Sequence, residues 1–173
     1  MANAFSYQVI KDTTEHAVIK LTGKFDGTGQ EDNHFRITAN TLSGALDSSK
    51  ANLLSSTANT GPLAFYGLSL NRMWYDCSTD GDVQLFWHAD TAVTLMILNG
   101  NGEYDGAGNW TTIPNNAKGT AGCKGDIGIQ TRGMVANSSY TIVLELRKDN
   151  EHYQRGQFND PAAFNYGSYG IRP

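Results

Sequence analysis

The sequence predicts an all-β protein, an antiparallel two-sheet sandwich of the jelly-roll type with about eight strands and an extended C-terminal arm. Apolar and polar side chains alternate along many short segments. Turn signals separate these segments, and no helical period recurs between them. Only 17% of the 173 residues are charged and 19 are Gly, which suits strands and tight turns better than charged surface helices. The length is that of one domain. We expect residues 1–148 to form the sandwich and residues 149–173 the arm.

The first part of the chain predicts three strands. Residues 6–11 alternate apolar and polar side chains, and residues 15–22 do so more clearly, with an apolar side chain at every second position from Ala17 to Leu21. A period of two indicates a half-buried strand. Residues 34–38 predict a third, shorter strand.

The middle of the chain predicts a hairpin. In residues 63–76 we expect Leu70 and Trp74 to share one face, and residues 82–88 follow with a second alternating run. The turn between them, residues 78–81, contains an Asp-Gly pair. Because Asp-Gly is a strong hairpin signal, the two runs are predicted to pair with each other.

Three further segments complete the strand pattern. Residues 92–99 are nearly all apolar, as expected of a central strand that is covered on both faces. Residues 125–131 predict a short strand. In residues 139–148, the apolar side chains from Tyr140 to Leu146 fall on one face, which predicts the last strand of the domain.

Three segments depart from the strand pattern. Residues 40–61 are rich in Ser, Thr and Asn and predict a long loop with one helical turn near Leu46. A loop of this length usually has a function, such as contact with a partner. Residues 100–122 predict a Gly- and Asn-rich loop. Residues 149–173 are rich in aromatic side chains, unlike disordered tails, so we expect them to dock on a neighbouring subunit or to fold back on their own domain.

Charge and hydropathy argue against several classes of protein. The formal net charge is −4, whereas nucleic-acid binding requires clustered Lys and Arg. The N-terminal residues lack the basic and apolar regions of a secretory signal, and no apolar run is long enough to span a bilayer. We therefore expect a protein that is made and used in a cytoplasm, or released by lysis, with neither a nucleic-acid nor a membrane partner.

No segment carries a recognisable catalytic motif. A G-x-S-x-G elbow is absent from the sequence, and a nucleophile with a base and an orienting acid is not indicated. Glu103, Asp105 and Asp126 are the nearest candidates for a glycosidase carboxylate pair, but acidic residues beside Gly and Asn are common in turns. We expect no enzyme activity and no cofactor. The four histidines, none in a triad-like segment, are His16, His34, His88 and His152.

One loop is a weak candidate for calcium. Asp26, Glu31 and Asp32 place three carboxylates within seven residues, and calcium prefers oxygen ligands from flexible loops. A plain Asp-Gly turn at residues 26–29 is the alternative that we favour, so we expect no metal.

The two cysteines leave two possibilities open. Cys77 and Cys123 are too far apart in sequence for a zinc knuckle. They form either two buried free thiols or one disulfide, and only geometry can decide between these.

Aromatic side chains are the candidates for partner binding. A sugar-binding platform would draw on exposed rings near loops, and the candidates are Trp74, Trp87, Trp110, Tyr104 and Tyr66. The alternation around Trp87 favours the core for that ring. Trp110 lies among Gly and Asn, so we expect it to be exposed. The predicted partner-binding residues are Trp110, Tyr153, Phe158, Phe164, Tyr166 and Tyr169.

Three segments together resemble accessory proteins of tailed-phage virions: EHAVIKLTGKFDGTG, RMWYDCSTDGDVQLFWHADTAVTLMIL, and GDIGIQTRG with SSYTIVLELRK. The resemblance covers about residues 5–148 and is one of pattern. It implies a β-sandwich that decorates or cements a capsid, without catalytic residues. The expected partners are the major capsid protein or other virion proteins, together with further copies of the chain, for which we expect a trimer. The alternatives are a carbohydrate- or receptor-binding module of a tail fibre, or a neck or tail accessory protein.

Overall fold

The computed structural model describes residues 3–32, 34–45, 66–106, 112–149 and 153. Over these residues the chain forms ten β-strands and one short 3-10 turn, Ala39–Thr41. No helix in this part is long and apolar enough to cross a membrane. The strands are β1 Ala4–Asp12, β2 His16–Lys24, β3 His34–Ile37, β4 Leu68–Cys77, β5 Asp82–Trp87, β6 Val93–Leu98, β7 Asn101–Asp105, β8 Ile113–Pro114, β9 Ile127–Arg132 and β10 Ser139–Lys148.

The strands form two antiparallel sheets. The large sheet has the order β1-β2-β10-β4-β7, and β8 also pairs with β4; the small sheet has the order β3-β9-β5-β6. The pairing is nested along the chain: β2 pairs with β10, β3 with β9, β4 with β7 and β5 with β6. The predicted all-β fold with two antiparallel sheets is confirmed, and each of the eight predicted strand segments contains a strand.

One apolar core lies between the sheets. Alternate side chains of β2, from Ala17 to Leu21, and of β10, from Tyr140 to Leu146, are at most 2% exposed. Opposite them, β5 and β9 bury Trp87 and their own alternate aliphatic side chains. The predicted alternation of these strands is therefore confirmed, as is the place of Trp87 in the core.

A β-bulge in β4 corrects the predicted face of Trp74. Leu70 pairs with Leu146 of β10 and Arg72 pairs with Glu145, so Asn71 has no partner in this ladder. One extra residue reverses the inward and outward positions that follow it. Leu70 is fully buried, whereas Trp74 is 42% exposed on the outer face of the large sheet.

The Asp-Gly turn links the two sheets and does not close a hairpin. β4 belongs to the large sheet and β5 to the small sheet, so the predicted pairing of these two strands is wrong. A Cβ atom on Gly81 would lie 2.3 Å from the carbonyl oxygen of Arg132. The glycine is required because the end of β9 passes against the turn.

Strand β6 lies at an edge and not at the centre of its sheet. Among the strands that the structure describes it pairs with β5 alone, and Ile97 is 61% exposed. The apolar run of residues 92–99 predicted a strand covered on both faces, and that prediction is wrong. β7 occupies part of residues 100–122, which had been predicted as loop.

Glycines within strands leave room for aromatic rings of the neighbouring strand. Gly23 pairs with Tyr140, and a Cβ atom on Gly23 would lie 2.3 Å from the Tyr140 ring. A strand glycine often marks such a close approach. The same arrangement pairs Gly102 with Tyr75 and Gly128 with Phe86.

Candidate functional site

The three carboxylates considered as calcium ligands do not converge. Asp26 Oδ1 accepts hydrogen bonds from the backbone N–H and the hydroxyl of Thr28, at 2.8 and 2.6 Å, and these bonds lower the pKa of Asp26. Asp32 accepts a hydrogen bond from Gln130 Nε2 at 3.2 Å. Over the described residues, no three His, Cys, Asp or Glu side chains are grouped so as to hold a metal ion. Residues 26–28 form a local turn in which the Asp26 side chain accepts both bonds from Thr28.

Glu31, the third of these carboxylates, is paired inside the protein. Its side chain is buried and accepts hydrogen bonds from the guanidinium of Arg36 and, at 2.5 Å, from the hydroxyl of Tyr140. The Arg36 guanidinium also lies 4.8 Å from the centre of the Phe5 ring. Burial raises the pKa of Tyr140, with the Glu31 charge second, so this hydroxyl remains a donor. Through Phe5, Arg36 and Tyr140 the cluster connects β1, β3 and β10, so its role is structural.

A second buried ionic cluster surrounds Lys148. The Lys148 ammonium is fully buried and donates to Asp12 Oδ1 at 2.5 Å and to the carbonyl oxygens of Thr13 and Ser43, each at 2.6 Å. Three acceptors use all three protons of an ammonium. The ion also lies 5.2 Å from the centre of the Tyr153 ring. The end of β10 is thereby joined to the first turn and to the segment after the 3-10 turn.

Tyr153 belongs to the core of its own domain. It is fully buried, its hydroxyl donates to the carbonyl oxygen of Ala39 at 2.8 Å, and it forms an isolated β-bridge with Ala45. Its ring meets the ring of Tyr66 edge-on, with 5.7 Å between centres. The prediction that Tyr153 contacts a partner is therefore corrected, because packing against its own domain covers the whole side chain.

The other predicted partner-binding residues lie outside the described part of the chain; they are Trp110, Phe158, Phe164, Tyr166 and Tyr169. The predicted helical turn near Leu46 and most of the arm also lie outside it.

Of the carboxylates considered for hydrolysis, Glu103 and Asp105 lie two residues apart on β7, where Asp105 forms an ion pair with Arg72 at 3.0 Å, but Asp126 lies elsewhere. Glu103 lies on β7 in the large sheet, whereas Asp126 precedes β9 in the small sheet. Asp126 accepts a hydrogen bond from the backbone N–H of Ala39 at 2.8 Å and lies 3.9 Å from Nδ1 of His88. Burial raises the pKa of Asp126 and lowers that of His88. Phe35 covers the imidazole at 4.2 Å between ring centres, which leaves little room for a substrate.

Both cysteines are buried free thiols. Burial raises the pKa of Cys77 to about 12 and that of Cys123 to about 11. A thiol is nucleophilic as the thiolate, so neither sulfur is activated at neutral pH. The structure thus decides between the two possibilities left open by the sequence in favour of free thiols.

The outer face of the large sheet carries a row of small polar side chains that crosses five strands. Directly opposite residues share a face of an antiparallel sheet, and the pairing places Ser6, Thr22, Thr141, Asp76 and Asn101 side by side on β1, β2, β10, β4 and β7. Ser6 and Thr22 join their hydroxyls in a 2.6 Å hydrogen bond. We call this row the polar row. The sequence does not mark it, because its members are spread along the chain from residue 6 to residue 141.

Larger side chains stand beside the polar row. In the next row, Gln8, Lys20, Val143, Trp74 and Glu103 occupy the same five strands. Two concavities result. One, of about 470 Å³, lies at the β4–β7 side and is lined by both rows. The other, of about 310 Å³, lies at the β1–β2 side. Thr141 lines both, so the two concavities lie on either side of this residue.

Exposed apolar side chains mark the edge strands. β1 pairs with β2 alone among the described strands, and Tyr7, Val9 and Ile10 are 41%, 42% and 54% exposed. Tyr7 and Val9 stand opposite the core residues Leu21 and Ile19, so they lie on the inner face of the large sheet. Together with Ile97 on β6, they provide apolar surface at an edge of each sheet.

No protein-family model matches the chain, and no curated protein and no solved structure matches it. The resemblance to phage virion proteins therefore stays a prediction.

Proposed function

We propose that the chain is a non-enzymatic structural protein of a bacteriophage virion, which decorates or cements the capsid by binding the major capsid protein and further copies of itself. The nested strand pairing carries the proposal. Strands β2 to β7, β9 and β10 pair first with last and inward along the chain, which we infer to be the order of a jelly roll. Jelly rolls are common in viral capsid and lectin domains.

The edge strands support an assembly role. An unpaired edge offers backbone N–H and C=O groups to another chain. β1 also presents Tyr7, Val9 and Ile10, and β6 presents Ile97. Because these two edges differ, contact of one edge with another protein leaves the other edge available, as heterologous assemblies require. Many identical sites on a shell would add their contacts through avidity.

Truncation tests the contribution of the arm. The variant ends after Tyr153, because that side chain belongs to the core, and it removes four predicted contact residues at once: Phe158, Phe164, Tyr166 and Tyr169. We expect residues 1–153 to fold with the thermal stability of the full chain but to be missing from virions purified from infected cells. Incorporation equal to that of the full chain would reject the arm as the contact.

Localisation tests the virion role itself. Electron cryo-microscopy of purified particles should show the sandwich at symmetric positions on the capsid shell. A single ring at one vertex would indicate a neck protein instead. Absence of the chain from particles would reject the proposal.

A second candidate function is a carbohydrate- or receptor-binding module of a tail fibre. The observation that favours it is Trp74, which is 42% exposed beside a concavity on a sheet face.

A further inference from the structure

We infer that the outer face of the large sheet is a binding groove for a neutral oligosaccharide, with Trp74 as its aromatic platform and the polar row as its floor. The groove consists of two neighbouring concavities that share Thr141 as a lining residue. It stands apart from the virion proposal, because free saccharides and the isolated protein are sufficient to test it.

The groove has the length and shape of a site for a chain-like ligand. The polar row crosses five strands, and strands lie about 4.8 Å apart, so the floor is about 19 Å long. Its side chains are short, whereas Trp74 in the neighbouring row is long and lines the larger concavity, so this ring forms a wall there. The larger concavity, of about 470 Å³, is in the range of small-molecule sites.

Several side chains of the groove carry hydrogen-bonding groups that have no partner within the described part of the chain. None of the side chains of Asp76, Asn101, Glu103 and Thr141 has a hydrogen-bond or ion-pair partner among the described residues, in contrast to Ser6 and Thr22, which pair with each other. Carboxylates accept hydrogen bonds, whereas an amide and a hydroxyl both donate and accept. This mixed set fits a ligand whose own hydroxyls both donate and accept.

Trp74 supplies the apolar part of the site. Val143 and Glu103 flank it across the sheet, and Asp76 follows it on the same face two residues along β4. An indole is a wide, rigid apolar surface on which the C–H face of a pyranose ring can stack while its hydroxyls reach the neighbouring polar side chains. The bulge at Asn71 is what turns this ring outward.

The charges of the groove favour a neutral ligand over a cationic one. Asp76 and Glu103 lie at the Trp74 end, but Lys24 lines the concavity at the other end, and Lys20 stands beside the floor. A Lys- or Arg-rich peptide would meet two carboxylates but also two ammonium groups. A neutral polyhydroxylated chain can use both ends.

A glycan array probed with the purified full-length chain tests the inference, and isothermal titration calorimetry then measures the affinity for the saccharides that bind. We expect Trp74→Ala to weaken binding about tenfold or more, since buried tryptophans dominate interfaces. Thr141→Val keeps the side-chain shape but removes the hydroxyl where the concavities meet, and it should also weaken binding. The matched control is Tyr7→Ala, because Tyr7 is 41% exposed on the opposite face of the same sheet; it should leave the affinity unchanged.

Three outcomes would overturn the inference. One is an array without any bound saccharide, and another is equal affinity of the wild type and of both groove variants. The third is Trp74-dependent binding of a Lys- or Arg-rich peptide with no saccharide bound, which would assign the groove to a cationic partner. Thr141→Val decides the question alone if Trp74→Ala does not fold by circular dichroism.

Discussion

Polar side chains occupy two contrasting regions of this molecule. At the ends of the sandwich, Lys148 and Glu31 are buried and fully paired. On the outer face of the large sheet, Asp76 and Thr141 are exposed, and the described residues provide no partner for their side chains. A buried polar group without a partner would destabilise the fold, so pairing at the ends indicates a structural role. Unpaired groups beside an exposed Trp carry no such cost and remain available to a ligand.

Substitution at Lys148 should have the largest effect on stability. Lys148→Met removes the cation and leaves Asp12 and two carbonyl oxygens without their donor. Breaking a buried ion pair from one side costs about 3–5 kcal/mol, so the free energy of unfolding in urea should fall by about that amount. Arg147→Met, at an exposed neighbouring position, is the control and should have little effect. Similar losses for both variants would show that the Lys148 cluster does not stabilise the fold.

A methyl group at Gly23 should have an intermediate effect. Gly23→Ala places a Cβ atom against the Tyr140 ring and displaces that ring from Glu31. Overpacking of this kind costs about 1–3 kcal/mol, measured as a lower midpoint in urea. The same substitution in a Tyr140→Leu background should cost less, because the clash is gone and the two effects are coupled. Equal costs in both backgrounds would contradict the proposed contact.

Acid should destabilise the fold through His88. Burial lowers the pKa of His88 in the folded state from the usual 6.5, so below pH 6.5 the unfolded chain takes up a proton that the folded chain does not. The free energy of unfolding should therefore fall as pH decreases from about 7 to 5.5. Asp126 acts in the opposite direction, because its pKa is raised and its protonation favours the folded state. The free energy of unfolding of His88→Asn should decrease less than that of the wild type over this pH range. An equal decrease in both proteins would exclude His88 as the cause.

The smallest effect on stability should come from the groove. Asp76→Asn should change the free energy of unfolding by less than about 0.5 kcal/mol, as is usual for surface positions, whereas Glu31→Gln should cost several times more. Calorimetry should at the same time show weaker saccharide binding by Asp76→Asn. A large loss of stability in Asp76→Asn would remove the contrast between the two regions.

Much of the fold was predictable because alternation is local. The run from Ala17 to Leu21 and the last strand, Ser139–Lys148, were predicted from a period of two alone. β7 was missed because Asn101 and Gly102 resemble loop residues. β7 forms by pairing with β4, and the Tyr75 ring packs over Gly102. Both contacts join residues that are distant in sequence, so local alternation does not predict them.

The candidate site was much less predictable. Trp74 was predicted on the same face as Leu70, and only the bulge at Asn71 reverses it. The polar row joins Ser6 to Asn101 through strands that are distant in sequence. Tyr153 shows the same limit, since the sequence marks an aromatic arm but not the pocket beside Tyr66 that one of its rings fills.

The sequence by itself determined eight of the ten described strands and which of their side chains are apolar, because both depend on neighbours along the chain. The tertiary structure alone decided which strands share a sheet, which edges stay open and which face Trp74 occupies. Those features depend on register between strands, and one unpaired residue in a ladder is enough to move every following side chain to the other face.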